Sequence, residues 1–374
     1  MSFPPLVEPV DALTSAERAR TARHASLAEL GDIGQRRLAA AHVAVIGAGG
    51  LGSPIILALA AAGVGTLTVI DDDVVELSNL QRQVIHRLDD VGAAKTDSAA
   101  RATAQLSPET RVLTVRDRLT AANAVDLLRE AHLVIDGSDV FSTREAVAAA
   151  VEHLGIPLVW GAIQSFDAQV TVFWTDPPAG HAPVRLSDLY PVGSADDAPT
   201  CAAVGVLGAL CIQVGGLMAI EAIKLIAGIG RPLLGRVLVI DSLGGRQSEV
   251  ALRGAAAAAR PAPVETDAAR RPRWMPLDEA DAALAAGIRV LDVREPHETA
   301  AGMIPGSVAL PLADVLVDPT AAGPGPVLVV CAVGARADRA AAAMLAHGIE
   351  AVVLAGGIRA WDARASADGA SVPA

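Results

Sequence analysis

The run Gly47-Ala48-Gly49-Gly50-Leu51-Gly52 follows the apolar segment His42–Ile46 and opens a helix-forming stretch. Glycines so placed make a tight turn and let backbone N–H groups approach phosphate oxygens. Alone, the pattern fits any nucleotide, including the dinucleotide of an NAD-dependent oxidoreductase. The segment Asp71-Asp72-Asp73-Val74-Val75-Glu76-Leu77-Ser78-Asn79-Leu80-Gln81-Arg82-Gln83 adds the amide of Asn79 and the guanidinium of Arg82, and Lys95 follows. Hydride transfer has little use for that cluster. Cleavage of a triphosphate needs it, because Arg82 and Lys95 would neutralise phosphate oxygens as pyrophosphate leaves. Asp71 closes a strand about two dozen residues after Gly47, where a carboxylate binds ribose hydroxyls. Asn79 and Arg82, three apart, can share one face of a helical turn. Asp139 sits past another strand end and offers a carboxylate to a magnesium ion on the phosphates.

A second chemical centre lies near the C-terminus. Cys331-Ala332-Val333-Gly334-Ala335-Arg336 follows the apolar run Val327–Val330 and precedes a helical stretch. A thiol there faces backbone N–H groups and a helix N-terminus, with Arg336 adding charge; all three favour a thiolate or persulfide.

These residues need elements to hold them. Between 42 and 160, short β-branched runs (Val43–Ile46, Leu67–Ile70, Arg111–Val115, His132–Asp136, Pro157–Trp160) alternate with alanine-rich stretches. That alternation predicts a Rossmann-like α/β fold, a mostly parallel sheet with helices on both faces. Its ligands bind at the carboxyl ends of the strands, where Gly47, Asp71 and Asp139 fall. Ala168–Trp174 and Gly235–Ile240 read as later strands, with a long apolar helix from Cys201 to Ile220 between them. That helix is long enough to span a membrane. Its glycines, the Glu221 and Lys224 that follow, and the lack of flanking aromatic anchors read as a core helix instead. Residues 254–273, rich in Pro and Ala, read as a linker. A smaller α/β pattern follows, giving domains over 1–253 and 274–374.

Composition narrows the class. The net charge of -12 argues against a nucleic-acid partner. The three cysteines, Cys201, Cys211 and Cys331, lack short spacings and fit a reducing compartment, so a cytoplasmic enzyme is expected. Cys211, inside the apolar run, reads as core.

The first domain resembles the MoeB/ThiF-type adenylyltransferases, relatives of ubiquitin-activating enzymes. The likeness runs through Arg20-Thr21-Ala22-Arg23-His24, the glycine turn, Ser78-Asn79-Leu80-Gln81-Arg82-Gln83, Gly92–Lys95, Asp139, Thr200-Cys201 and Glu221–Lys224. The resemblance implies ATP-dependent adenylation of the C-terminal glycine carboxylate of a ubiquitin-like sulfur-carrier protein ending in Gly-Gly. It places Gly47, Gly49, Gly50, Asp71, Ser78, Asn79, Leu80, Gln81, Arg82, Lys95, Asp139 and Val140 around ATP, with Mg²⁺ on Asp139. Val140 stands where relatives often carry Asn. The resemblance also implies that Arg23 reaches the active site of a partner subunit, hence a homodimer. Cys201 would form a thioester or resolve an acyl-disulfide in one reading and is a buried helix-start residue in the other. Relatives bind zinc through two Cys-x-x-Cys pairs. Cysteine is missing around His181–Leu186 and Leu252–Pro261, so no zinc site is expected.

The second domain resembles a rhodanese, through Leu291-Asp292-Val293-Arg294-Glu295-Pro296-His297-Glu298, Gly302–Ser307 and Gly356-Gly357-Ile358 with Trp361. Met303 replaces a usual histidine. The six-residue loop from Cys331 to Arg336 fits the sulfurtransferases of that family. The combined expectation is adenylation followed by sulfur transfer from a Cys331 persulfide, loaded by a donor such as a cysteine desulfurase. The rivals are an NAD-dependent oxidoreductase and a non-catalytic scaffold that docks a carrier.

Overall fold

The computed structural model describes residues 3–190, 205–254, 272–300 and 302–369. Contacts divide the chain into two units, Met1–Ala259 and Arg260–Ala374. In the first, α1 (Ser15–Arg20), α2 (Ala22–Ala25) and α3 (Gly31–Ala40) lead into β1 (His42–Ile46). Then come α4 (Gly52–Ala62), β2 (Thr66–Ile70), α5 (Lys95–Leu106), β3 (Arg111–Val115), α6 (Ala124–Leu128) and β4 (Leu133–Asp136). The unit continues through α7 (Phe141–Leu154), β5 (Leu158–Gln164), β6 (Asp167–Phe173), α8 (Leu186–Leu189), α9 (Gly208–Ala227), β7 (Arg236–Asp241) and β8 (Arg246–Ala251).

The eight strands form one sheet in the order β3-β2-β1-β4-β5-β6-β7-β8. The first five run parallel, and β5 to β8 pair antiparallel. Strand order reverses between β1 and β4, which opens the crevice where such sheets bind ligands. Both faces are covered: Val43 and Val45 of β1 enter one apolar core, Ala44 and Ile46 the other. Alternate side chains of a parallel strand must do this, which is why these strands read as continuous apolar runs.

The long apolar helix differs from expectation at both ends. It runs Gly208–Ala227 rather than from Cys201 to Ile220, so Glu221 and Lys224 lie within it and pair with each other. Leu207 precedes it in extended conformation and Gly205 has φ +77°, neither compatible with helix. The helix packs against α3, α4, β4, β5 and β6, as a core helix. Cys201 lies outside the described residues.

The second unit holds β9 (Arg273–Met275), α10 (Leu277–Ala285), β10 (Arg289–Asp292), α11 (Pro296–Thr299), β11 (Val308–Ala309), α12 (Leu312–Val317), β12 (Val327–Val330), α13 (Ala335–Ala346), β13 (Ala351–Leu354) and α14 (Gly357–Gly369). Its sheet has the order β11-β10-β12-β13-β9, all parallel. β9 begins at Arg273, the last residue of the expected linker. Residues 255–271 of that linker lie outside the described residues.

Candidate active site

The glycine turn leaves β1 and enters α4 through contacts that only glycine allows. A Cβ on Gly52 would stand 1.8 Å from the Gly47 carbonyl oxygen. Gly47 itself has φ +84° and faces the Gly137 carbonyl across the crevice. The result is a cavity of about 760 Å³ at the carboxyl ends of β1, β2 and β4, in the size range of small-ligand sites.

Of the residues expected to contact ATP, the cavity brings together Gly47, Gly49, Gly50, Asp71, Asn79, Arg82, Lys95, Asp139 and Val140. Ser78, Leu80 and Gln81 do not line it, and Ser78 and Gln81 are exposed. The reason is local. Leu77–Asn79 forms a short 3₁₀ turn closed by a reciprocal capping box between Glu76 and Asn79. The Asn79 carbonyl then accepts the N–H groups of Arg82 and Gln83, both at 3.0 Å. That winding turns Asn79, Arg82 and Gln83 inward and leaves the residues between them outside.

Lys95 is the first residue of α5. Its side chain is buried, and Nζ donates to Asp73 Oδ2 at 2.7 Å. Asp71 Oδ2 accepts the Ala48 N–H at 2.7 Å, and Oδ1 the Asp73 N–H at 2.8 Å. Asp71 therefore braces the glycine turn as well as lining the cavity; each oxygen keeps a lone pair for a ligand hydroxyl. Burial pushes its carboxyl up from the ordinary value, with Lys95 opposing. Asp71, Asp72 and Asp73 have carboxylate oxygens within 4.8 Å of one another. Asp72 meets Arg118 and Asp73 meets Lys95, so two of the three are tied to cations of the same unit.

Residues not singled out from sequence complete the site. Gln83 is buried and lines the cavity, with Oε1 lacking a hydrogen-bond partner among the described residues. Its presence in the Ser78–Gln83 run was the available signal. Arg144 donates to the Ser138 carbonyl at 2.6 Å through Nη2, and its guanidinium lies 5.2 Å from the centre of the Trp160 ring. This fixes the loop that carries Asp139. Nothing in the spacing of Arg144 pointed to it. Cys211 is buried among core residues, as expected, yet also lines the cavity.

Arg23 does not line the cavity and is exposed. Its segment is anchored at the far end of α4. Arg20 donates to the Ala61 carbonyl at 2.8 Å, and His24 is hydrogen-bonded to Gln35, which donates to the Ala62 carbonyl at 2.7 Å. At 1.5 Å per residue, the 11 residues of α4 put this anchor roughly 16 Å from the glycine turn.

In the second unit Cys331 is buried at the end of β12, and the Gly334 N–H donates to its Sγ at 3.1 Å. Gly334 has φ +116° and caps α13, so the loop backbone curls around the sulfur. Arg336 makes a two-pronged pair with Glu298, at 2.7 and 2.9 Å. That pairing holds Glu298 well below the ordinary carboxylate range, at about 2. Arg336 thus spends hydrogen bonds on α11. Asp292 and Arg294 form a buried pair at 2.7 Å, and Arg294 also donates to the Gly302 carbonyl at 2.6 Å. The Ile358 N–H, past the Gly356-Gly357 turn, donates to the Cys331 carbonyl at 2.8 Å.

A glycine turn at a strand-order reversal, with cations around it, defines a nucleotide-dependent transferase; the family comparison specifies it. The ThiF family model matches residues 21–260 and a rhodanese-like domain model matches 276–364, so the chain belongs to the ThiF family and carries a rhodanese-like domain. It is 41% identical to the probable adenylyltransferase/sulfurtransferase MoeZ of Mycobacterium tuberculosis (strain CDC 1551 / Oshkosh), over 96% of both chains. It is 45% identical to the sulfur carrier protein adenylyltransferase of Thermus thermophilus, over 62% of this chain and 85% of that one. The crystal structure of PaaA superposes with a TM-score of 0.55 at 25% identity, covering 65% of this chain and 76% of that one. The protein is an enzyme, an ATP-using adenylyltransferase joined to a sulfurtransferase.

Proposed function

We propose that the substrate is the C-terminal glycine carboxylate of a ubiquitin-like sulfur-carrier protein ending in Gly-Gly. Attack of a carboxylate on the α-phosphate brings anion to anion, so positive charge must offset both. Lys95 and Arg82, both lining one cavity, are the observation that carries this reading. The Gly49 and Gly50 amides cradle phosphate oxygens, Asp71 and Asn79 position the ribose and phosphates, and Gln83 donates or accepts beside them. Mg²⁺ on Asp139 fits the donor set, a cavity-lining carboxylate facing a polyphosphate; when bound it supplies charge neutralisation.

Sulfur transfer then falls to Cys331. Its terminal persulfide sulfur attacks the acyl-adenylate carbonyl, AMP leaves, and an acyl-disulfide joins carrier and enzyme. A second thiol, from Cys201 or an external reductant, attacks the Cys331 sulfur, and the carrier leaves as its thiocarboxylate. The persulfide comes from a donor such as a cysteine desulfurase. Residues 254–273, as a tether between domains over 1–253 and 274–374, raise the effective concentration of Cys331 at the adenylate. A reducing cytoplasm suits this thiol chemistry.

A homodimer is part of the same reading. Arg23 is held at the end of α4 away from its own cavity, which suits delivery to a partner subunit. Ile212 and Ile220 lie exposed on α9, apolar surface of the kind a second subunit covers. Zinc is not part of it. Phe3 packs on His181, Leu252 joins Val184 and Leu186 in one core, and Gly254 lies against the Pro183 carbonyl. These contacts tie the two segments together without thiolates.

The test is ATP–pyrophosphate exchange with a panel of Gly-Gly-ending carriers. Exchange that requires one carrier and survives Cys331→Ala, while thiocarboxylate formation is lost, supports the reading. Exchange with none of them overturns it.

A further inference from the structure

Ala48, at the heart of the glycine turn, is held through both its N–H and its carbonyl. Asp71 takes its N–H, while its carbonyl accepts Ser53 Oγ at 3.2 Å and His86 Nε2 at 3.0 Å. A carbonyl can only accept, so His86 must carry a proton on Nε2. The ring is buried, lines no wall of the cavity, and is backed by α5: Nδ1 lies 2.8 Å from Ser98 Oγ. Ser98 in turn lies 2.6 Å from Asp90 Oδ2, and Asp90 also takes the Arg87 N–H and Arg101.

We propose that His86 is a positioning residue for ATP: its Nε2–H holds the Ala48 carbonyl away from the phosphates so that the turn presents N–H groups to them. This rests on the reading that the cavity holds ATP. The physical case is geometric. A carbonyl pointing at a polyphosphate repels it, and a flip of the Ala48–Gly49 peptide would exchange the Gly49 N–H for the Ala48 carbonyl at the turn. His86 and Ser53 oppose that flip at the carbonyl, while Asp71 holds the preceding Gly47–Ala48 peptide through the Ala48 N–H. Ser98 backs the ring: when its single hydroxyl proton serves Nδ1, the neutral ring keeps its own proton on Nε2, and Asp90 is then held by Arg87 and Arg101. Burial pushes the imidazole below its ordinary value, and Lys95 and Arg101 on α5 add to that. The Ala48 carbonyl and Asp90 act the other way. A neutral ring bonded to the Ala48 carbonyl carries its one proton on Nε2.

The test has two arms. Nitrogen-15 NMR of histidine-labelled wild-type protein, without ATP, should show a buried imidazole protonated on Nε2 alone, assigned by its loss in His86→Gln. Protonation on Nδ1 overturns the proposal. Calorimetry should then show ATP binding weakened about tenfold in His86→Phe, which keeps a ring and loses the donor. His86→Gln, which restores an N–H, should recover part of that loss. KM for ATP should rise more than kcat falls. A folded His86→Phe with wild-type ATP affinity overturns this proposal alone. A wild-type protein that binds no ATP overturns the nucleotide reading, and this proposal with it.

Discussion

Lys95 Nζ sits 2.7 Å from Asp73 Oδ2, the lysine side chain 7% exposed and the aspartate 61%. The cation that lines the cavity is thus kept by an exposed counter-ion that lines it too. A buried ammonium at the start of a helix opposes the helix dipole, so Asp73 compensates for that position. Removing Lys95 takes away charge that only the transition state fully uses. Lys95→Ala should lower the exchange rate by about 10²–10³-fold. Asp73→Asn should leave exchange within about tenfold of wild type while lowering stability. Exchange rates measured beside urea unfolding separate the two effects.

Gly52 admits no side chain, because its Cβ would stand 1.8 Å from the Gly47 oxygen. Gly52→Ala must open the turn that makes the phosphate cradle. ATP binding should be lost and unfolding stability should fall by about 2 kcal/mol or more. Calorimetric titration with ATP and urea unfolding test both.

Glu298 ties α11 to Arg336 of the sulfur-transfer loop. Hydrogen bonding to Arg336 lowers its carboxyl to about 2 from an ordinary 4.5. A depressed value in the folded state stabilises the fold above the unfolded-state value. Stability on the order of 3 kcal/mol should be present above pH 4.5 and disappear as pH falls towards 2. Glu298→Gln should be less stable at pH 7 and flatten that acid dependence, measured by unfolding the wild type and variant across pH 2–7.

Arg23 acting across a dimer gives a complementation test. Arg23→Ala and Lys95→Ala should each be inactive alone. Mixed after subunit exchange, half the dimers would each carry one intact site, restoring about a quarter of wild-type exchange. No recovery from demonstrably mixed dimers would remove the trans role.

Much of this protein is legible in its residues. The glycine turn, Asp71, Asn79, Arg82, Lys95 and Asp139 come to one cavity because strand–turn–helix units deliver their C-terminal ends to a common edge. The β1 run and the Val327–Val330 run are apolar on both faces, so pattern alone placed them. The Cys331 loop was likewise readable, since β12 and α13 bracket it in sequence.

Other features depend on partners distant along the chain. The helix start moved to Gly208, which sits against the Gln81 backbone: a Cβ there would lie 2.2 Å from the Gln81 oxygen. β8 is exposed at every residue, so hydrophobic pattern could not reveal it; pairing with β7 makes it a strand. Arg336 was read as charge for Cys331 but pairs with Glu298, 38 residues away. His86, the same distance from Ala48, and Arg144 work through backbone carbonyls, which carry no side-chain signature. Sequence fixes local geometry and burial pattern, since both follow from neighbouring residues and periodicity. The partner of each charged or hydrogen-bonding group is settled only when the fold brings distant segments within 3 Å.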